Sequence, residues 1–166
     1  MAKHRVCPWW IGHLLASPLR RVWQDPTRIL APYVRAGMTV LEPGPGVGFF
    51  TLELARLVGA SGRVVAVDVQ PRMIEGLKRR ARKAGMLEHI DARVTAPASM
   101  ALDGLAADFV LAFAVVHELP LAANFFREVA QAMKPGATLL LAEPAGHVRQ
   151  PNFRSRSRVP RRAVRR

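Results

Sequence analysis

The sequence has one cysteine and no long hydrophobic run. Because Cys7 stands alone among 166 residues, an intrachain disulfide is excluded and a secreted disulfide scaffold is not expected. No stretch approaches the roughly 20 continuous apolar residues of a membrane span. The apolar patch near the start is interrupted by Pro8, Gly12 and His13, which argues against an export signal. We therefore expect a soluble cytoplasmic protein with no membrane contact.

Acidic residues are also scarce. The chain has 12 Asp and Glu against 25 Lys and Arg, a formal net charge of +13. Eight of the arginines lie in residues 149–166, which contain no acidic residue, and subtracting them from +13 leaves +5 for the rest. This tail is predicted to be disordered. It offers charge for phosphate contacts, but Phe153 is its only aromatic residue, so nucleic-acid binding is possible and not favoured.

The hydrophobic half of the composition is enough for one domain with a real core. Three zones are predicted. Residues 1–33 form a helical cap segment, with Trp9 and Trp10 beginning an apolar face at helical spacing, residues 34–148 form the core, and residues 149–166 form the tail. The oligomeric state is left open.

In the core, short β-branched runs alternate with segments of helical period, which is typical of a doubly wound α/β sheet with mostly parallel strands and helices on both faces. Strands are predicted at 38–41, 63–68, 90–94, 108–113 and 138–142, and helices at 49–58, 71–84 and 122–133.

A glycine-rich loop, residues 42–48, follows the first strand with the spacing Gly44-x-Gly46-x-Gly48. Glycines at the carboxyl end of a parallel strand let a ligand approach the backbone. A dinucleotide fingerprint needs a different spacing, and Glu42 would repel a pyrophosphate while favouring a cationic group. Asp68 ends the second strand, where a carboxylate can accept hydrogen bonds from ribose hydroxyls. The alternatives are a tight turn without a ligand and a helix cap at Asp68.

Five segments in order resemble motifs of class I S-adenosylmethionine-dependent methyltransferases, over roughly residues 34–147. They are Val40–Thr51, Val65–Asp68, Met73, Ala107–Val110 and Met133–Ala137. The resemblance implies a Rossmann-like fold, S-adenosylmethionine as cofactor and methyl transfer to an unidentified small-molecule nucleophile.

The resemblance also implies site residues. The cofactor would be held by Glu42, Gly44, Gly46, Gly48, Asp68 and Met73, with Met73 beside the adenine. Relatives usually have Asp where Glu42 stands, and an adenine-contacting side chain where this chain has Ala96-Pro97-Ala98.

After the fourth strand, His117 is the candidate general base and Glu118 its candidate orienting or cation-binding partner. The alternative for His117 is packing or capping. Glu143, at the end of the fifth strand, is predicted to be a substrate-side or structural carboxylate. No metal is expected, because His4 and Cys7 are too few ligands for zinc.

The fold normally continues with a helix and two further strands. Residues 149–166 are too few for that material, so we expect the last two strands to be missing and the fifth strand to have an exposed edge. Two other functions therefore stay open, a catalytically inactive nucleoside-binding remnant and a basic nucleic-acid-binding module on a Rossmann-like scaffold.

Overall fold

The strand and helix pattern of the sequence folds into a single five-stranded sheet. The structure is a computed structural model that describes residues 24–119 and 122–143. Its elements are α1 Pro26–Leu30, β1 Thr39–Pro43, α2 Thr51–Val58, β2 Arg63–Asp68, α3 Pro71–Lys83, β3 Ile90–Val94, β4 Ala107–Phe113, α4 Ala122–Ala132 and β5 Met133–Ala142. Short 3₁₀ turns, Leu87–His89 and Val116–Glu118, follow α3 and β4.

All five strands run parallel in the order β3-β2-β1-β4-β5. Alternate residues of each strand face opposite sides, so β1 directs Val40 into one apolar cluster and Leu41 into the other. The first cluster includes side chains of α2 and α3, and the second includes those of α4. Helices therefore cover both faces, which confirms the predicted fold class.

The spacing of apolar residues in helix α3 determines which face of the helix is buried. Pro71 begins it, where a missing amide costs nothing. Met73, Ile74, Leu77 and Ala81 are buried as their spacing predicts, and the lysines and arginines opposite are exposed.

Strand β5 begins earlier than predicted, at Met133, directly after α4 ends. The predicted start at residue 138 is wrong, because the strand also includes the segment Lys134-Pro135-Gly136. It is accommodated as an irregularity, because the pairing with β4 shifts between Ala107, opposite Met133, and Phe109, opposite Thr138. Asp108, at this shift, accepts hydrogen bonds from Thr39 N at 2.9 Å and Lys134 Nζ at 2.7 Å. It thus ties β1, β4 and β5 together.

Parts of the prediction lie outside the described residues. These are most of the 1–33 cap segment, including Trp9, Trp10, His4 and Cys7, and the whole 149–166 tail. The missing last strands and the zone boundaries stay predictions. Within the described part of the chain, β5 pairs with β4 alone, and no helix is long and apolar enough to cross a membrane.

Phe109 should be the most costly core side chain to truncate. It is fully buried in β4 and stacks on Tyr33, with ring centroids 5.8 Å apart. We expect Phe109→Ala to lower the free energy of unfolding by about 3 to 5 kcal/mol in urea titrations. Val94→Ala, at a half-exposed position of β3, is the control and should change it by less than about 0.5 kcal/mol. Equal effects of the two variants would contradict the described core.

Candidate functional site

The parallel sheet brings the candidate residues to one edge. Glu42 lies near the carboxyl end of β1, Asp68 ends β2, and the turn Ala114–His117 follows β4. Glu143 directly follows β5. Ligands of open α/β sheets bind at this edge, so the arrangement has the placement expected of a binding site.

The glycine loop is shaped by close approaches on two of its three glycines. A Cβ on Gly44 would lie 2.7 Å from Val115 Cγ2, and one on Gly48 would lie 2.5 Å from Leu77 Cδ1. A Cβ on Gly46 would meet nothing within 4 Å, so this glycine borders open space. Arg80 of α3 fixes the loop from behind, since its Nη1 donates to Val47 O at 2.7 Å. The predicted loop is therefore rigid where it packs and open at Gly46.

Glu42 is an unusually placed carboxylate. It is only 3% exposed, and burial raises its pKa from 4.5 to about 7, with a smaller upward contribution from the nearby charge of Asp68. Thr51 lies close enough to lower the pKa, yet Glu42 Oε2 and Thr51 Oγ1 are both buried and unpaired within the described residues. A buried acceptor without a partner is costly and uncommon. Glu42 Oε2 can therefore accept a hydrogen bond from a bound ligand.

Asp68 has a local role that the sequence left open. Its Oδ1 accepts from Gln70 N at 2.9 Å, which shapes the turn into α3. Gln70 is the N-cap of α3 and no side chain in the described part of the chain caps this helix, so the capping alternative for Asp68 is wrong. Burial raises the pKa of Asp68, and hydrogen bonds from the amides of Gln70, Gly46 and Val69 oppose that rise. The carboxylate thus touches both the glycine loop and the start of α3. Its ribose-binding role stays a prediction.

Met73 lies in the first turn of α3, next to the site edge. It is 4% exposed, although it belongs to neither of the two core clusters. This placement is compatible with a wall of a pocket, and its predicted contact with adenine stays a prediction.

His117 has a partner that the sequence did not identify. Its Nδ1 lies 2.6 Å from Glu143 Oε2, while Glu143 Oε1 accepts from Val116 N at 2.7 Å and Val115 N at 3.2 Å. The Glu143 side chain is 5% exposed and that of His117 20%. Prediction gave Glu143 a structural or substrate-side role without pairing it to His117. The signal available in the sequence was its position at the end of the strand beside β4.

Two further predictions concern the role of Glu118 and metal binding. The backbone of Glu118 ends the 3₁₀ turn after β4, and its side chain lies outside the described part of the structure. Across the described residues, no group of three or more His, Cys, Asp or Glu side chains could hold a metal ion.

Alanine substitution at Gly46 and Gly48 tests the described geometry of the loop. Both Gly46 and Gly48 have a positive φ, 55° and 86°, so each alanine is strained by about 1 kcal/mol. Gly48→Ala must also displace the fully buried Leu77, and we expect a total loss of about 2 to 4 kcal/mol in unfolding free energy. Denaturant titration showing the larger loss at Gly46 would contradict the loop geometry.

Glu42 should make stability depend on pH in a defined direction. A buried acid with a raised pKa favours the protonated form, so its contribution is intact below about pH 4.5 and is lost as the pH rises through about 7. We expect Glu42→Gln to stabilise the fold by about 3 kcal/mol at pH 8.5, and by almost nothing at pH 4.5, in thermal and urea unfolding.

The matched control is Glu128→Gln. Glu128 also accepts a backbone hydrogen bond, from Met100 N at 2.7 Å, but it is only half-buried. Its substitution should not stabilise the protein at pH 8.5. A pH-independent effect of Glu42→Gln would rule out the buried acid.

Comparison with known proteins places this geometry in a family. The profile described as "Methyltransferase domain" matches residues 35–162. The chain is 33% identical over 143 residues to a ubiquinone biosynthesis O-methyltransferase of Methylocella silvestris, covering 85% of this chain and 54% of that protein. It is 30% identical to a ubiquinone/menaquinone biosynthesis C-methyltransferase of Klebsiella pneumoniae, covering 80% and 53%.

A solved methyltransferase structure has a similar fold. A SAM-dependent methyltransferase from Aquifex aeolicus superposes with a TM-score of 0.76 at 29% identity, covering 81% of this chain and 71% of that one. The chain spans about half the length of the curated relatives named above. The resemblance drawn from the loop and strand motifs is confirmed, and the chain belongs to the methyltransferase-domain family with a class I, Rossmann-like fold.

Proposed function

We propose that the chain binds S-adenosylmethionine and transfers its methyl group to a small-molecule nucleophile. The observation that carries this proposal is the buried carboxylate oxygen Glu42 Oε2, unpaired among the described residues, at the start of the loop in which Gly46 borders open space. A cofactor with a cationic aminoacyl group would supply the donor that this oxygen lacks.

The residues at the site fit such a cofactor. Glu42 offers a negative group for the aminoacyl end, and Asp68 lies at the end of the neighbouring strand for the ribose. Gly46 leaves room for close approach of the ligand, and Met73 contributes an apolar surface at the start of α3. The expected order along the edge is therefore aminoacyl group, ribose and adenine, running from β1 through β2 to α3.

The chemistry requires little of the protein beyond orientation. When bound, the cofactor supplies a methyl group that its sulfonium charge already activates. Glu42 and the glycine loop hold and orient the cofactor, while the turn after β4 borders the position for the acceptor. Within this proposal, His117 takes the acceptor's proton, and a contribution of Glu118 stays a prediction.

A small-molecule acceptor is favoured by the relatives. Two of them are named for ubiquinone or menaquinone biosynthesis, one as an O-methyltransferase and one as a C-methyltransferase. A third, at 33% identity, is named a ribosomal protein L11 methyltransferase, from Pelotomaculum thermopropionicum. Because the first two are named for quinone biosynthesis and only the third for a protein, we propose a small-molecule acceptor with an oxygen, nitrogen or carbon nucleophile. We also propose a cytoplasmic location.

The two alternative functions make different predictions. An inactive remnant would bind the cofactor or its product without turnover. A nucleic-acid module would depend on residues 149–166 and would bind oligonucleotide with a strong dependence on salt.

Calorimetric titration with S-adenosylhomocysteine, the reaction product, tests the pocket without requiring the acceptor. We expect saturable one-to-one binding, weakened about tenfold or more by Glu42→Gln, because a hydrogen bond to a charged group contributes roughly 1.5 to 3 kcal/mol. Glu128→Gln is the control and should bind like the unmodified chain. A folded chain that does not bind would overturn the proposed function.

A further inference from the structure

We propose that Glu143 is a positioning residue, which fixes the protonation state of His117 and holds the turn after β4 against the cofactor loop. This inference rests on the proposed function and extends it to the class of acceptor. It concerns a residue outside the glycine loop, directly after the edge strand of the described sheet.

The Glu143 carboxylate has three donors, which together define the turn. Val115 N and Val116 N donate to one oxygen, and His117 Nδ1 meets the other. Next to them, Ala114 N donates to Ala142 O at 2.7 Å. Four consecutive residues after β4 are thus attached to the end of β5.

One residue of the turn has a strained backbone conformation. Ala114 has a φ of 55°, in the left-handed region that residues other than glycine rarely adopt. Such a conformation persists only where surrounding contacts impose it, and it is concentrated at functional sites. The attachments to Glu143 and Ala142 are contacts of that kind.

The turn reaches the cofactor loop through one side chain. Val115 packs so closely on Gly44 that a Cβ there would lie 2.7 Å from Val115 Cγ2. Because Glu143 holds the amide of Val115, it fixes the distance between the turn and the loop. Glu143 therefore connects the β5 end to the predicted cofactor pocket.

The same carboxylate determines which nitrogen of His117 is basic. An ionised carboxylate is an acceptor only, so the proton in the 2.6 Å contact must be on Nδ1. The neutral ring then has its lone pair on Nε2, which is the nitrogen that can accept a proton. This is the arrangement that a carboxylate gives a catalytic histidine base.

The arrangement indicates acceptors that must lose a proton, such as a phenol, alcohol or amine. In the proposed step, a lone pair of the acceptor oxygen or nitrogen forms the bond to the methyl carbon as the carbon–sulfur bond breaks and its electrons return to sulfur. The O–H or N–H bond of the acceptor breaks, and its proton passes to His117 Nε2. The imidazolium later releases that proton to solvent.

Glu143→Gln separates the two roles. The glutamine oxygen can still accept from Val115 N and Val116 N, but its NH₂ then faces His117 Nδ1 and forces the ring proton onto Nε2. Turning the amide round would instead place its NH₂ against two backbone donors, which is worse than a change of tautomer. Glu143→Ala removes both roles, and His117→Asn keeps a donor near the Nδ1 position without a basic nitrogen.

The first readout is the long-range ¹H–¹⁵N NMR spectrum of the histidine rings in the full chain, with His117→Asn used for assignment. We expect His117 to have its proton on Nδ1 in the unmodified protein and on Nε2 in Glu143→Gln. Glu128→Gln should leave the spectrum unchanged. An Nε2 proton in the unmodified protein, or no change in Glu143→Gln, would overturn the proposed positioning.

The second readout is affinity for S-adenosylhomocysteine. We expect Glu143→Gln to bind within about threefold of the unmodified chain, and Glu143→Ala to bind about tenfold more weakly because Val115 is released from Gly44. Equal affinity in all three proteins would overturn the connection to the loop. Failure of the unmodified chain to bind would instead refute the proposed function, whatever the tautomer.

The third readout compares two acceptor probes with S-adenosylmethionine at pH 8, catechol and thiophenol. Thiophenol is already ionised at that pH and needs no base. We expect Glu143→Gln to lower kcat for catechol by about 100-fold and to change that for thiophenol by less than about twofold. Equal losses for both probes would contradict a role in proton removal. If neither probe is methylated, the NMR spectrum and the affinity measurements still test the proposed role of Glu143.

Discussion

Parallel pairing of β1 with both β2 and β4 is the constraint on which the candidate site depends. The register sets Glu42 opposite Ala66 and ends both strands at the same edge of the sheet. β4 follows on the other side of β1, and its pairing with β5 brings Phe113 opposite Ala142. The side chain of Glu143, directly after β5, consequently reaches the turn after β4. One sheet edge thus assembles two carboxylates near the glycine loop and a carboxylate–histidine pair beside it.

The site is built at the expense of stability in two places. Burial of the Glu42 carboxyl disfavours its ionised form, and its Oε2 is unpaired among the described residues, so the folded chain is destabilised when the pH rises through about 7. Ala114 is held in a left-handed conformation that costs free energy as well. Neither feature helps the apolar clusters on the two faces of the sheet. Both are explained if the edge serves to bind a cationic ligand and to position a proton acceptor.

Much of the architecture was predictable because it follows from local periodicity. The bounds of β2 and β3 and the buried face of α3 match the predicted positions, and the glycine spacing identified the loop. Contacts between side chains of different strands were harder to predict from the sequence. The contact between His117 and Glu143 depends on the register of β4 with β5, which includes an irregularity near Asp108 that no local pattern specifies. The early start of β5 at Met133 was missed because Pro135 and Gly136 are normally strand-breaking residues.

The most direct test of the account is the number of protons released when S-adenosylhomocysteine binds, measured by calorimetry in buffers of different ionisation enthalpy. With a pKa of about 7, Glu42 is about half protonated at pH 7, and a cationic ligand group should drive its ionisation. The account predicts release of about half a proton at pH 7, little release at pH 8.5, and none at pH 7 from Glu42→Gln. Binding with no proton release at pH 7, or with the same release from Glu42→Gln, would contradict the assignment of Glu42 to the cofactor.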